Sequence, residues 1–167
     1  MSFSISNFES NFQDLARQYQ FHVKALGPIT SKDIFETLVV STALPQRNVT
    51  AIDAKFMGHQ YKLAGDVEYP DWTCTFRVKS DYSIYKEMRT WQEIPRSKGE
   101  DDIVIGNWRE YKSTVELDQL DNAGNSIGTL KLIGVWPSGL GEITYDTQTS
   151  EVQTFAVTFT YDYHTWA

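Results

Sequence analysis

A two-residue alternation of apolar and polar side chains runs through most of this chain. Between Trp72 and Lys79 it is strict, because Trp72, Cys74, Phe76 and Val78 alternate with threonine, arginine and lysine. Successive side chains of a β-strand point to opposite sides, so this stretch offers one apolar face to a core and one polar face to water. The chain is therefore predicted to consist mainly of antiparallel strands.

The same alternation, or a run rich in β-branched residues, predicts seven further strands. Turn residues such as glycine, proline and asparagine separate most of them. The predicted strands are Arg17–Leu26, Ile34–Leu44, Val49–Phe56, Gln60–Ala64, Ser113–Asp121, Thr129–Trp136 and Val152–Tyr163.

Two segments have helical spacing instead. Asn7 can cap a short helix near the N-terminus, and Asp81 can cap a longer one that Pro95 ends. The apolar faces are Phe8, Phe12 and Leu15 in the first helix and Ile84, Met88 and Trp91 in the second. Many strands with one flanking helix predict an α+β fold, mainly β, arranged as an antiparallel barrel or sandwich. The length of 167 residues predicts one domain spanning 1–167.

The loop Asn122–Asn125 predicts the register of one hairpin. If the loop joins adjacent strands, Leu117 faces Leu130 and Glu116 faces Lys131. Apolar side chains then lie opposite apolar side chains, and opposite charges lie opposite each other, as a correct register requires. The same register pairs Val115 with Leu132, Asp118 with Thr129 and Asp121 with Ser126.

Composition excludes several classes of function. The formal net charge of −7 opposes non-specific nucleic-acid binding, which depends on cations that neutralise phosphates. The only cysteine, Cys74, allows neither an internal disulfide nor a cysteine zinc site, and its alternation with aromatic residues predicts burial. Neither a signal peptide nor a membrane span is visible in the sequence, which favours a protein made and assembled in a cytoplasm.

The sequence offers weak candidates for catalysis or metal binding. Asp66 and Asp71 could form a carboxylate pair, as in glycosidases, but turn formation explains both. The runs Gly99–Asp102 and Gly139–Glu142 lack the context of a calcium or phosphate loop. The three histidines have no metal-ligand spacing; they are His22, His59 and His164. We therefore expect no enzymatic activity, no metal and no cofactor.

Aromatic residues are abundant: nine tyrosines, nine phenylalanines and five tryptophans. They can fill an aromatic core or anchor protein–protein interfaces. Composition alone favours neither interpretation.

Three stretches of the sequence, taken in order, decide between an aromatic core and a protein–protein interface. They read FESNFQDLARQYQFHVKA near the N-terminus, STALPQRNVTAIDAKFMGHQYKLAGDVEYPDWTCTF in the middle and LIGVWPSGLGEITYDTQTSEVQTFAVTFTYDYHTW near the C-terminus. Their order, their spacing and the total length resemble the tail tube protein of contractile-tailed bacteriophages over nearly the whole chain. The segment Pro95–Lys112 matches least.

The resemblance implies a β-barrel-like sandwich with one flanking helix, six copies of which form a ring. The rings would stack bottom to top into an open helical tube, the inner tube of a phage tail within the virion. That tube would conduct the genome into the host when the sheath contracts, without specific DNA binding and without a membrane anchor. The partners implied are other copies of the chain, the tail sheath protein, a tape-measure protein, the baseplate tube initiator and the tail terminator.

Two alternatives stay open at this point. A tube subunit of a contractile injection system, or of a type VI-like secretion system, shares the same fold. A monomeric ligand-binding β-barrel is also rich in strands and aromatic residues. Rings or tubes in solution would favour a tube subunit, whereas a monomer with a ligand pocket would favour the last alternative.

Two surfaces are the candidate sites of a tube subunit. The segment Thr42–Gly65 is predicted to form an extended hairpin at the stacking face, with no clear core face of its own. Its candidate contact residues are Pro45, Val49, Ile52, Phe56, Met57 and Tyr61. Small, hydroxylic or acidic side chains on the last strands are predicted to line the channel, although such a polar face could equally lie outside. They are Glu116, Asp118, Thr154, Ala156, Thr158, Thr160 and Asp162.

Overall fold

The computed structural model describes Ile5 and residues 16–25, 27–96 and 106–167. The predicted N-terminal helix with Phe8, Phe12 and Leu15 lies outside the described residues, and so does the acidic run at 99–102.

Nine strands and three helices occur in the described ranges. The strands are β1 (Phe21–Ala25), β2 (Val39–Thr42), β3 (Asn48–Phe56), β4 (His59–Glu68), β5 (Trp72–Arg77), β6 (Ser113–Leu120), β7 (Ser126–Leu140), β8 (Thr154–Thr160) and β9 (Tyr163–Trp166). The helices are α1 (Lys32–Leu38), α2 (Ser83–Glu93) and α3 (Trp108–Tyr111).

Seven strands form one antiparallel sheet in the order β1-β6-β7-β8-β5-β2, and β9 also pairs with β7. The long strand β7 joins two half-sheets. The first half-sheet consists of β1, β6, β9 and the beginning of β7; the second consists of β2, β5, β8 and the end of β7. Strands β3 and β4 form a separate two-stranded sheet.

A bulge at Gly134 marks the change from one half-sheet to the other. Ser113 pairs with Val135 but the next residue, Thr114, pairs with Ile133, so Gly134 is the extra residue. Its φ of 75° lies in the left-handed region that glycine adopts without strain. Because a bulge bends its strand, β7 can take part in both half-sheets.

The core lies between the inner faces of the two half-sheets and is closed by α2. The apolar face predicted for α2 is confirmed, since Ile84, Met88 and Trp91 are all buried. Asp81 accepts a hydrogen bond from the backbone N–H of Ser83 at 3.1 Å. The other fully buried large side chains are Val23, Phe35, Trp72, Phe76, Val115, Leu130, Leu132, Val135, Val157 and Phe159.

The prediction of one strand over Ile34–Leu44 is wrong in its first half, where helix α1 forms before β2 begins. The helix is stabilised by a residue distant in sequence. The Ser31 hydroxyl donates to Glu87 Oε1 at 2.6 Å, and the Ser31 backbone N–H donates to Glu87 Oε2 at 3.3 Å. Phe35 is buried on the inner side of the helix. Tertiary packing therefore overrides the strand preference of the β-branched residues.

The register predicted for the β6–β7 hairpin is confirmed for its four central pairs. Leu117 pairs with Leu130 and Glu116 with Lys131, but near the loop Leu120, not Asp121, pairs with Ser126. The pairs Val115–Leu132 and Asp118–Thr129 are also as predicted. The predicted C-terminal strand Val152–Tyr163 is divided, because β8 ends at Thr160 and β9 begins at Tyr163.

Candidate assembly surfaces

The β3–β4 hairpin, which we call the arm, exposes many apolar side chains to solvent. It makes its own two-stranded sheet, and almost every residue in it is exposed. The turn at its tip is formed by Met57 and Gly58, both with positive φ. A hairpin is present within the predicted segment Thr42–Gly65, but its strands run from Asn48 to Glu68, and Thr42 belongs to β2 instead.

The strand register gives the arm a clear apolar face, which sequence reasoning missed. Paired residues share a face, and alternate pairs along the arm lie on the same side. The pairs Ile52–Leu63, Ala54–Tyr61 and Phe56–His59 therefore point together. Leu63 is a further residue of this face, and its alternation with Tyr61 was the signal that could have found it.

The root of the arm is held on the barrel by aromatic residues. Trp72 Nε1–H donates to the Ala43 carbonyl at 2.9 Å, and the Tyr161 hydroxyl donates to the Gln46 carbonyl at 3.3 Å. Tyr69 packs edge-on against Tyr161 and His164, with ring centroids 6.0 and 5.1 Å apart. These contacts hold both ends of the arm against Trp72, Tyr161 and His164.

His164 lies inside this root. Its Nδ1 atom is buried and has no hydrogen-bond partner in the described part of the chain. Burial, together with the Arg47 guanidinium nearby, holds the pKa of His164 below its usual value. The neutral imidazole is thus the form that the folded root accommodates.

Glu116 and Asp118 lie on the outer face of the first half-sheet, each beside a lysine. Lys131 Nζ lies 2.9 Å from Glu116 Oε1, and Lys24 Nζ lies 2.6 Å from Asp118 Oδ2. Asp118, only 2% exposed, also accepts a hydrogen bond from the Thr129 hydroxyl at 2.5 Å. Burial would raise the pKa of Asp118, but the bonds from Lys24 and Thr129 outweigh it and the pKa is lowered.

The other channel candidates lie on the second half-sheet or at its edge. Thr154, Ala156, Thr158 and Thr160 share the outer face of β8, opposite the buried residues Phe155, Val157 and Phe159. Thr158 is paired with Thr73 of β5, and the Thr160 hydroxyl donates to Asp71 Oδ1 at 2.9 Å. Asp162 follows β8 and is ion-paired with Lys112, whose Nζ is 2.6 Å from Oδ1. The channel candidates therefore lie in three places: on β6 of the first half-sheet, on β8 of the second, and at Asp162 between β8 and β9.

The candidates for metal binding that lie in the described ranges do not form a cluster. The described ranges contain no group of three or more His, Cys, Asp or Glu side chains able to hold a metal ion. Cys74 is buried, and burial raises the pKa of its thiol to about 12. Among the described residues, no helix is long and apolar enough to cross a membrane.

Comparison with known proteins matches these features to one family. The phage tail tube protein family matches residues 3–167. The chain belongs to this family. The tail tube protein gp19 of Enterobacteria phage T4 is 31% identical over 160 residues, which cover 93% of each chain. This tail tube protein is therefore a structural component of the virion that forms the inner tube of a phage tail.

Solved structures show the same mainly β fold for this tail tube protein. A chain of an extracellular contractile injection system, from the PVC sheath–tube complex in its extended state, gives a TM-score of 0.69 at 14% identity over 99% of both chains. The tube-terminating cap of the anti-feeding prophage gives 0.71 at 16% identity, over 100% of this chain and 95% of that chain. The Hcp1 protein of E. coli EAEC 042 gives 0.53 at 10% identity, over 89% of this chain and 90% of that chain.

Proposed function

We propose that this tail tube protein, acting as one domain over 1–167, forms six-membered rings that stack through the arm into a tube for the genome. The observation that carries the proposal is the apolar face of the arm, which no other described segment covers. Ile52, Phe56, Tyr61 and Leu63 are each 56 to 66% exposed there. A two-stranded sheet is only marginally stable by itself in water, so a face of this kind requires a partner.

The arm is proposed as the contact between successive rings. Support comes from its length, because β3 has nine residues and a strand rises about 3.3 Å per residue, which gives a reach of about 30 Å. The proposed contact residues are Pro45, Val49, Ile52, Phe56, Met57, Tyr61 and Leu63. All but Pro45 are exposed.

Ring closure is supported by the free edges of the main sheet. Strands β1 and β2 stand at its two ends, and within the described part of the chain each is paired on one side only. A groove between them is lined by Phe21, Val23, Val39 and Val40. Unpaired strand edges are aggregation hazards, and a closed ring of copies removes them.

For the channel wall we propose the outer face of β8, with Thr154, Thr158 and Thr160. Its support is chemical, since hydroxyl side chains offer DNA phosphates no cation, although Arg77 stands opposite Thr154 at one end. Glu116 and Asp162 complete the proposed wall, and Asp118, only 2% exposed, contributes to it through its ion-paired Lys24. Because each of these carboxylates is paired with a lysine, their part of the wall is balanced in charge rather than acidic.

The same proposal extends to partners and chemistry. The tube would be surrounded by the tail sheath protein, start on the baseplate tube initiator, be measured by a tape-measure protein and be closed by the terminator. DNA would pass without specific binding. The role needs no catalysis, metal or cofactor, and we assign none.

A tube subunit of an injection system remains the second candidate. The structures of such systems share the fold at 14 to 16% identity, whereas the phage T4 protein is 31% identical. The higher identity favours a phage tail.

The test uses purified protein and negative-stain electron microscopy. The whole chain should form rings and tubes. A trimmed variant, in which residues 54–61 are replaced by Asn-Gly between the paired residues Asp53 and Lys62, should fold but not elongate. Normal tubes from the trimmed variant would exclude the arm as the stacking contact, and a whole chain that stays monomeric would contradict the proposed assembly.

A further inference from the structure

The arm carries a second apolar surface on the opposite face from the first. We call the first surface the tip patch; it consists of Ile52, Ala54, Phe56, Tyr61 and Leu63. We call the second the root patch; it consists of Val49, Ala51, Ala64 and Val67.

A bulge in β4 creates this arrangement. Between the pairs Val49–Val67 and Ala51–Ala64, β3 advances by two residues and β4 by three. The extra residue lies at Gly65–Asp66, so the two pairs stay on one face although their β4 members are three positions apart.

Gly65 itself belongs to the tip-patch side. A Cβ at this position would lie 2.8 Å from Thr50 Oγ1 and 2.9 Å from Ile52 Cγ1. The side chains of Thr50 and Ile52 therefore close over the bulge on one face, while Val49 and Val67 project from the other.

Both patches are open to solvent in the single chain. Val49 and Val67 are 47% and 40% exposed, and the large tip-patch side chains, Ile52, Phe56, Tyr61 and Leu63, are 56 to 66% exposed. A flat partner that covers one face of a one-layer sheet leaves the other face in water. Two apolar faces, displaced along the arm, therefore require two partners.

The charge of the distal part of the arm favours another copy of this chain as the partner of the tip patch. Between Ala51 and Ala64 the charged residues are Asp53, Lys55 and Lys62, which give +1 with histidine neutral, whereas the whole chain carries −7. The distal arm thus has the opposite sign to the molecule from which it projects, and an acidic partner attracts it.

We propose that each arm is clamped between two other copies of this chain, one on the tip patch and one on the root patch. The inference rests on the proposed function, because it supposes that the chain assembles into a tube. Each subunit is then joined to two others by a single hairpin, and neither patch alone suffices for elongation.

Cysteine labelling tests both faces at once. Leu63→Cys and Val67→Cys are made separately in the full chain, whose own Cys74 is buried and unreactive when folded. A maleimide fluorophore is applied to the dissociated subunits and to preassembled tubes of the same variant. We expect labelling of the subunits at both positions and its loss at both positions in tubes. Full reactivity of either cysteine in tubes would overturn two-sided clamping.

Polar substitutions give the second measurement. Leu63→Asn and Val67→Asn should each abolish tube growth while leaving the melting temperature of the subunit unchanged, because both side chains are exposed. Gln60→Asn, at an exposed position of the same strand outside both patches, is the matched control and should still form tubes. Normal tube growth with Leu63→Asn or Val67→Asn, or its loss with Gln60→Asn, would contradict the inference. If the unmodified chain forms no tubes, the proposed function itself fails.

Discussion

At the scale of single residues, Trp91 combines burial with a specific hydrogen bond. Its ring is buried beside Phe159, and Nε1–H donates to the Tyr111 carbonyl at 2.6 Å. We expect Trp91→Ala to lower the free energy of unfolding by about 3–5 kcal/mol, as is usual for large aromatic residues in cores. Urea unfolding measures the change. Trp108→Ala, which removes an exposed tryptophan, is the control; equal losses in the two variants would show that Trp91 is not a core residue.

Asp118 makes the free energy of unfolding depend on pH in the acid range. Its folded pKa lies below the ordinary value of 3.8, so its contribution is full above about pH 3.8 and is lost as the pH falls through the folded pKa. Asp118→Asn should therefore flatten the decline of unfolding free energy in acid. Lys24→Gln should remove much of the same dependence, and the two effects should not add, because the residues form one ion pair. An unchanged acid slope in both variants would be the contrary result.

At the scale of elements, the β7 bulge predicts a difference between two glycines. Gly134 and Gly124 both have positive φ, but a Cβ at Gly134 collides with the Asp162 carboxylate, whereas none meets a neighbour at Gly124. Alanine at either position costs about 1–2 kcal/mol of backbone strain. Gly134→Ala should lose about 1 kcal/mol more, measured by thermal unfolding, because the exposed Asp162 side chain must turn away and give up its ion pair with Lys112. Similar melting temperatures for the two variants would contradict the prediction.

Local sequence patterns predicted most helices and strands, but they failed where contacts with residues distant in sequence determine the structure. Helix α2 and the β6–β7 hairpin follow from spacing and loop length alone. Helix α1 could not be predicted in this way, because Ser31, the residue before it, is hydrogen-bonded to Glu87 of α2, which is distant in sequence. The arm was predicted as a hairpin over Thr42–Gly65, but its root patch depends on a bulge near Gly65 that alternation cannot reveal. Likewise, the pairing of Asp118 with Lys24 required knowing that β1 lies beside β6.

At the scale of the whole molecule, the proposed channel wall predicts an effect on DNA passage. Thr158→Arg would place one added cation per subunit around the bore, whereas Thr160→Arg would meet Asp71 and be partly neutralised. We expect Thr158→Arg tubes to assemble but to release genome slowly, with the delay relieved by salt. Thr158→Gln, which introduces a longer polar side chain without a charge, is the control. Genome release at the normal rate with Thr158→Arg would place β8 away from the lumen.

Strand β7 also has a mechanical consequence. It is hydrogen-bonded to β6 and β9 along its first part and to β8 along its last part. A pull directed along β7 would act on these bonds in shear, so that many must break together, whereas a pull across an edge strand opens bonds one at a time. If β7 lies along the axis of a contracting tail, the subunit resists a pull along that axis in its stiffest direction.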